Sequence, residues 1–134
     1  DTQLTMGIWL KILIVGISGG IGAVCRLLIQ QAMPTSGPWL GLNTWVINTL
    51  GCLLIGIFAG MLAVVPWTEE WKTAFAMATM TGFCGGFSTF SSFTLDCVKY
   101  FEAGHFGIWL IFGGMTVFCG LFFCALGYWL GTKI

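Results

Sequence analysis

Four long stretches with almost no charge dominate this 134-residue chain and restrict what it can fold into. Each is longer than the roughly 20 mainly apolar residues that a membrane-spanning helix needs. Charged residues make up 7% of the chain and its mean hydropathy is +0.95, whereas a soluble domain carries about 25% charged residues. The composition therefore indicates an all-α membrane protein of four transmembrane helices, predicted at about 7–31, 39–65, 68–100 and 106–131.

The connectors between these helices are short, so we expect a single transmembrane domain over residues 1–134. Their basic residues favour neither orientation, because Lys11, Lys72 and Lys133 fall on one side and Arg26 and Lys99 on the other. Topology is fixed by a clear excess of basic residues in the cytoplasmic loops. We therefore expect insertion in both orientations, which would let two opposite copies pair as an antiparallel, dual-topology homodimer.

The third stretch has the composition of a helix that breaks inside the membrane. Gly82, Gly85 and Gly86 weaken a helix, and the hydroxyl residues that follow compete for its backbone hydrogen bonds. We expect a break near residues 85–90, at the membrane midplane, where only protein or water can satisfy the freed backbone groups. The alternative is a packing face, since Gly82 and Gly86 have the spacing of small residues at helix contacts.

A broken helix exposes carbonyl groups that can bind a small hard cation. We predict that the carbonyls of Gly85 and Ser88 face such a cation, and oxygen-only coordination favours sodium. The six cysteines lie inside the predicted spans without metal-like spacing, so we expect them to be packing residues.

Two aromatic residues and one amide are candidates for contact with an anion. Phe90 and Phe93 share a helix face, and the electropositive edges of their rings can line an anion path. Asn48 lies within the uncharged second stretch, and its NH₂ group can donate to an anion. The alternatives are ordinary packing for the rings and an interhelical hydrogen bond for Asn48. Arg26 and Asp96 lie near helix ends, where snorkelling is the alternative to a buried polar track.

The segment Gly82-Phe-Cys-Gly-Gly-Phe-Ser-Thr-Phe-Ser-Ser-Phe93 resembles the signature of the Fluc (CrcB) fluoride channels. Gly22-Ala-Val-Cys-Arg26 and Asn48 resemble further motifs of that family in the first and second helices. The resemblance implies a passive, fluoride-selective channel that lowers cytoplasmic fluoride, in a multi-pass protein of the bacterial plasma membrane. It also implies an antiparallel homodimer in the lipid bilayer, with two pores and a central sodium ion that is not transported. It implies neither an enzyme nor a nucleic-acid partner.

The resemblance also implies roles for individual residues. Gly85 and Ser88 would supply carbonyls to sodium, and Arg26 would attract anions at a vestibule. The fluoride pore would be lined by Asn48, Phe90 and Phe93, together with the hydroxyls of Ser91 and Thr94.

The chain departs from the family pattern at several positions. Asn43-Thr-Trp45 replaces the usual Gly-Thr-Leu, Ser88 replaces Thr, and Asp96 replaces Glu. In the fourth helix, Thr116 is the one hydroxyl expected at depth before Tyr128.

Two other classes of membrane protein are compatible with the hydropathy. A small multidrug-type transporter needs a carboxylate inside the first helix, and this chain has none there. A purely structural membrane protein could use the pairs Gly16/Gly20, Gly56/Gly60 and Gly127/Gly131 for helix assembly. That class would leave Asn48 and the hydroxyl cluster without a purpose.

Overall fold

The computed structural model describes residues 6–134, and all of the regular structure in that part of the chain is helical. Helices α1 and α2 are joined by a loop that holds a single 3₁₀ turn, and a divided third region leads to a long last helix. Their bounds are α1 Ile8–Ala32, the 3₁₀ turn Gly37–Trp39, α2 Leu42–Val64, α3 Glu69–Ala76, a π-helix Met77–Cys84, α4 Gly85–Phe87, α5 Phe90–Glu102 and α6 Phe106–Gly131.

Three segments in the described part of the chain are long and apolar enough to cross a membrane. They are Ile8–Ala32, Gly37–Val64 and Phe106–Gly131. The third predicted stretch is divided in two: α3, the π-helix and α4 run on from Glu69 to Phe87, and α5 follows after Ser88 and Thr89. Helix α5 has 13 residues, fewer than the roughly 20 that a single helical crossing needs.

The α-helical hydrogen bonding of the third region stops at Ser88 and Thr89. Both residues are extended, with φ −81° and ψ 160° at Ser88 and φ −151° and ψ 118° at Thr89. Thr89 then caps α5, because its Oγ1 accepts a hydrogen bond from the Ser92 N–H at 3.2 Å. The chain therefore leaves one helix and starts the next within two residues.

Helices α2 and α6 meet along a seam of four glycines: Gly56 and Gly60 on α2, and Gly127 and Gly131 on α6. A Cβ atom built on Gly56 would overlap the carbonyl oxygen of Cys124, and one on Gly127 would overlap that of Leu53. Small residues let helix backbones approach closely in a membrane. The seam therefore fixes the position of α6 against α2.

Helix α1 contacts the third region in the same way but along a shorter length. A Cβ on Gly22 would overlap the Phe83 carbonyl, and one on Gly86 would overlap that of Gly19. Gly22 is the one buried residue of α1. Added Cβ atoms on Gly16 and Gly20 would meet nothing within 4 Å, so most of this helix faces away from the rest of the chain.

Candidate functional site

The side chain of Asn48 pairs with the backbone of Thr89 at the interruption. Its Nδ2 donates to the Thr89 carbonyl at 2.9 Å, and its Oδ1 accepts from the Thr89 N–H at 2.7 Å. The interhelical hydrogen bond offered as an alternative role for Asn48 is therefore present. Since an amide NH₂ has two protons, one of them is left to donate to an anion, and the two roles are compatible.

Diverted hydrogen bonds leave two carbonyls of the interruption without their helical donors. In a continuous α-helix the N–H groups of Thr89 and Ser92 would donate to the carbonyls of Gly85 and Ser88. The Thr89 N–H donates to Asn48 instead, and the Ser92 N–H donates to Thr89 Oγ1. Backbone carbonyls freed at a helix break are ligands for sodium, so the donor set fits the cation that the resemblance implies.

A cavity of about 250 Å³ lies beside the interruption. Two of its walls are the rings of Phe90 and Phe93, whose centroids are 5.8 Å apart with planes inclined by 54°. In the single chain Phe90 is 76% exposed, so the cavity is open on that side. Its lining consists of Asn48, Cys52, Ser88, Thr89, Phe90, Phe93, Thr116 and Val117.

Two hydroxyl groups that line this cavity donate hydrogen bonds to backbone carbonyls of their own helices. Ser88 Oγ donates to the Cys84 carbonyl at 2.8 Å, and Thr116 Oγ1 donates to the Phe112 carbonyl at 2.7 Å. Their oxygens can accept hydrogen bonds but offer no free proton in this arrangement. The third hydroxyl of the lining, Thr89 Oγ1, donates to Ser92 Oγ at 3.2 Å. The cavity therefore meets an anion mainly with the remaining N–H of Asn48 and with phenyl edges.

A second polar contact joins α2 and α5 one helical turn from Asn48. Thr44 Oγ1 donates to Asp96 Oδ2 at 2.7 Å, and both side chains are buried, at 1% and 8% exposure. The polar-track alternative for Asp96 thus has a hydroxyl partner in this structure. Thr44 and Asn48 are four residues apart, so they share a face of α2.

A third contact ties α5 to the loop before α2. The Tyr100 hydroxyl donates to the Pro38 carbonyl at 3.0 Å and accepts from the Gly41 N–H at 2.7 Å. The ring of Phe112 packs against Tyr100 at 5.4 Å and fills the space where Gly41 lacks a Cβ. We refer to the three contacts, Asn48 with Thr89, Thr44 with Asp96, and Tyr100 with Pro38 and Gly41, as the polar ladder.

The predicted site residues divide into two groups by position. Asn48, Ser88, Phe90 and Phe93 come together around the cavity, whereas Gly85, Ser91, Thr94 and Arg26 do not line it. Thr94 Oγ1 donates to the Ser91 carbonyl at 2.8 Å on an exposed face of α5. Arg26 lies on α1, and its Nε is shielded from solvent without a hydrogen-bond partner in residues 6–134.

Sequence reasoning did not identify Thr44, Tyr100 or Thr116 as site residues. The partners of the first two are 52 to 62 positions away, and helical periodicity carries no signal at that range. The spacing of Thr44 and Asn48 on one helix face was the available indication for the ladder.

Comparison with known proteins identifies the family. Residues 13–128 match the family model described as "CrcB-like protein, Camphor Resistance (CrcB)". The chain belongs to the CrcB family. The resemblance seen in the Gly-rich segment is thereby confirmed.

Relatives in the CrcB family carry a functional name. Over 122 residues the chain is 39% identical to the "Fluoride-specific ion channel FluC" of Azobacteroides pseudotrichonymphae genomovar. CFP2, an alignment that covers 88% of this chain and 93% of that protein. It is 34% identical over 122 residues to the protein of the same name from Francisella tularensis subsp. tularensis (strain FSC 198), covering 90% and 94%. For that from Gloeothece citriformis (strain PCC 7424) the identity is 32% over 122 residues, covering 90% and 96%.

Membership of the CrcB family, with three segments able to span a bilayer, makes the chain a multi-pass protein of the plasma membrane. The named relatives are ion channels, and this CrcB protein is likewise not an enzyme.

Proposed function

We propose that this protein is a fluoride-selective channel that lets fluoride leave the cell passively and so lowers its cytoplasmic concentration. The observation that carries the proposal is the cavity beside Asn48, where a spare amide N–H and two phenyl rings meet next to a helix interruption. Its occurrence in a chain 39% identical to a fluoride-specific ion channel supports fluoride as the ion.

The cavity chemistry suits a small anion that must keep moving. Fluoride is strongly hydrated, so a pore must replace its water before it can enter. Asn48 and the edges of Phe90 and Phe93 provide several weak donors and no fixed positive charge. Conduction requires binding that is favourable enough to enter and weak enough to leave, and weak donors in series meet both conditions.

The proposal includes a broken third span. The region from α3 to α5 would cross the membrane as two half-helices, with Ser88 and Thr89 at mid-depth. Extended backbone is tolerated there only when protein or water satisfies it, and the pairing of Thr89 with Asn48 supports this placement.

We further propose an antiparallel homodimer with two pores. The cavity is open beside Phe90, and α1 leaves most of its surface uncovered. A second, inverted copy would close one cavity per subunit, and the even distribution of basic residues allows both orientations. Ser91 and Thr94 lie on the uncovered face of α5, and we assign them to the fluoride path on the basis of the resemblance.

A sodium ion at the dimer centre is part of the proposal. The carbonyls of Gly85 and Ser88 would hold it, because their helical donors are diverted. The ion would supply a fixed positive charge that stabilises the converging half-helix ends, without being transported. Arg26 would attract anions at a vestibule, a role assigned on the basis of the resemblance.

Anion efflux from liposomes tests the proposed function. Vesicles that hold the purified protein should lose fluoride rapidly and chloride slowly, and vesicles without protein should lose neither. Phe90→Ile and Phe93→Ile should reduce fluoride efflux while leaving the folded dimer intact. Phe118→Ile is the matched control, since that ring is 66% exposed on α6 and lies outside the cavity. Folded dimers that retain fluoride in the presence of sodium would contradict the proposal.

A further inference from the structure

Asn43, beside the polar ladder, has hydrogen-bonding capacity that the protein does not use. It is 7% exposed, in the first turn of α2, and its Oδ1 lies 3.2 Å from Thr44 Oγ1. The Thr44 hydroxyl has a single proton, and the shorter contact, 2.7 Å, directs that proton to Asp96. The Asn43 oxygen therefore faces the Thr44 oxygen without a proton between them.

Rotating the Asn43 amide by half a turn would remove this conflict. Its Nδ2 would then donate to Thr44 Oγ1, which would pass a hydrogen bond on to Asp96. An amide has two N–H donors, so at least one of them has no protein partner within residues 6–134 in either rotamer. Buried donors are almost always paired with protein, water or a ligand.

The spare donor has access to a ligand. In the described part of the chain, two polar atoms are both sealed from solvent and unpaired, Arg26 Nε and Trp45 Nε1. The Asn43 nitrogen is not among them, although its side chain is more than nine-tenths buried. Its nitrogen is therefore accessible to solvent in the single chain, beside Thr44.

We propose that Asn43 is a second anion-binding donor, which receives partly dehydrated fluoride at the end of the polar ladder nearest the α1–α2 loop. This inference rests on the proposed channel function. An N–H donor is needed there because the Asp96 carboxylate would otherwise repel an anion, and the Thr44 proton already offsets part of that charge. Fluoride, the smallest halide, gains most from a confined N–H donor, so Asn43 contributes to selectivity. The usual family residue at this position is Gly, which carries no side-chain donor.

Fluoride efflux measured over a range of fluoride concentrations tests the role of Asn43. Asn43→Leu keeps the branched shape, at a larger volume, and removes both donors. It should lower efflux at low fluoride by about tenfold, the effect of one hydrogen bond to a charged group, and raise the half-saturating concentration. Asn43→Ser retains a donor and should keep most of the efflux. Thr49→Val, on a different face of α2 and outside the ladder, should behave like the unmodified protein.

The possible outcomes separate this inference from the proposed function. No fluoride efflux from the unmodified protein would remove the channel proposal itself. Normal efflux from Asn43→Leu at every fluoride concentration would overturn the role of Asn43 and leave the channel proposal standing. The same holds if Asn43→Leu and Asn43→Ser lose efflux equally and in proportion to a loss of dimer. Should Asn43→Leu not fold, Asn43→Gly takes its place. Weak fluoride efflux from Asn43→Gly together with normal efflux from Asn43→Ser supports the inference, and equal efflux rates from these two variants refute it.

Discussion

At the scale of single residues, the Asn48 amide replaces two backbone hydrogen-bond partners of Thr89. Asn48 accepts from the Thr89 N–H and donates to the Thr89 carbonyl. By taking that N–H it also releases the carbonyl of Gly85. An interruption inside a bilayer is costly because lipid offers its polar groups no partner. The same side chain therefore stabilises the break and presents a donor to the cavity.

Asn48→Leu should weaken both the fold and the flux. Two backbone groups lose a partner, and at about 1–2 kcal/mol each the free energy of unfolding should fall by about 2–4 kcal/mol. Unfolding in detergent and fluoride efflux from liposomes measure the two effects, with Thr49→Val as the control on the same helix. A variant as stable as the unmodified protein would show that the Thr89 pairing contributes nothing to the fold.

At the scale of helices, α2 is the element that organises the chain. One of its faces carries Thr44 and Asn48 toward α5, and another carries Gly56 and Gly60 into the seam with α6. Helix α1 packs instead on the third region, where Gly22 and Gly86 allow the backbones to approach closely. Placement of the cavity between α5 and α6 therefore depends on how closely α2 and α6 approach.

Gly127→Ala should separate the seam. The added Cβ would overlap the Leu53 carbonyl and come within 3.0 Å of the Ile57 nitrogen, so the helices must move apart at a cost of about 1–3 kcal/mol. Gly114→Ala on the same helix is the matched control, because its Cβ would meet nothing within 4 Å. Thermal unfolding of the two variants in the same detergent should show a loss of stability only for the first. Equal stability would mean that the seam tolerates a methyl group.

How much the sequence predicts differs between elements for physical reasons. Runs of apolar residues are a local property, so helices such as α1 and α6 could be located from composition. The π-helix Met77–Cys84 was not predicted, because the choice between α and π geometry depends on packing against other elements. The small-residue pairs of α2 and α6 were recognised, but that they pack on each other within one chain is a matter of topology. Because the glycine pairs of α2 and α6 pack on each other within one chain, they no longer support the alternative of a purely structural assembly protein.

The site was predictable to the extent that its residues share one segment or one motif. Ser88, Phe90 and Phe93 lie close together in the chain, and the cavity includes all three. Tyr100 and Thr44 were not predicted, since their contacts join distant segments and their residue types are common on helix surfaces. Asn43 was visible only as a departure from the family pattern. Its spare donor depends on the hydrogen bond between Thr44 and Asp96.

At the scale of the whole molecule, the single chain leaves uncovered several groups that the proposed dimer would cover. Phe90 is 76% exposed and the carbonyls of Gly85 and Ser88 lack their helical donors. In the proposed dimer a second copy would cover the ring, and sodium would satisfy the carbonyls. Ion binding and dimer stability should then be linked, because a ligand that binds only the assembled form stabilises that form.

Replacing sodium by a large organic cation such as N-methyl-D-glucamine should lower the unfolding temperature of the dimer and reduce fluoride efflux. The carbonyl oxygens would be left without a partner of suitable size. Size-exclusion chromatography, thermal unfolding and efflux follow the effect, and restoring sodium should reverse it. Lithium or potassium at the same ionic strength separates a specific site from general screening. A dimer whose unfolding temperature and fluoride efflux do not depend on the cation would contradict the sodium site.

The glycine seam has a consequence for how the protein is made. Helix α6 is synthesised after α2, yet its backbone lies directly against α2, which leaves the ribosome well before it. Until α6 arrives, Gly56 and Gly60 present bare backbone to lipid or to the insertion machinery. The seam therefore closes only after α6 has been synthesised. A nascent chain that stops before Gly127 would keep this surface open, which is a feature that membrane quality-control proteases could use to distinguish unfinished copies from finished ones.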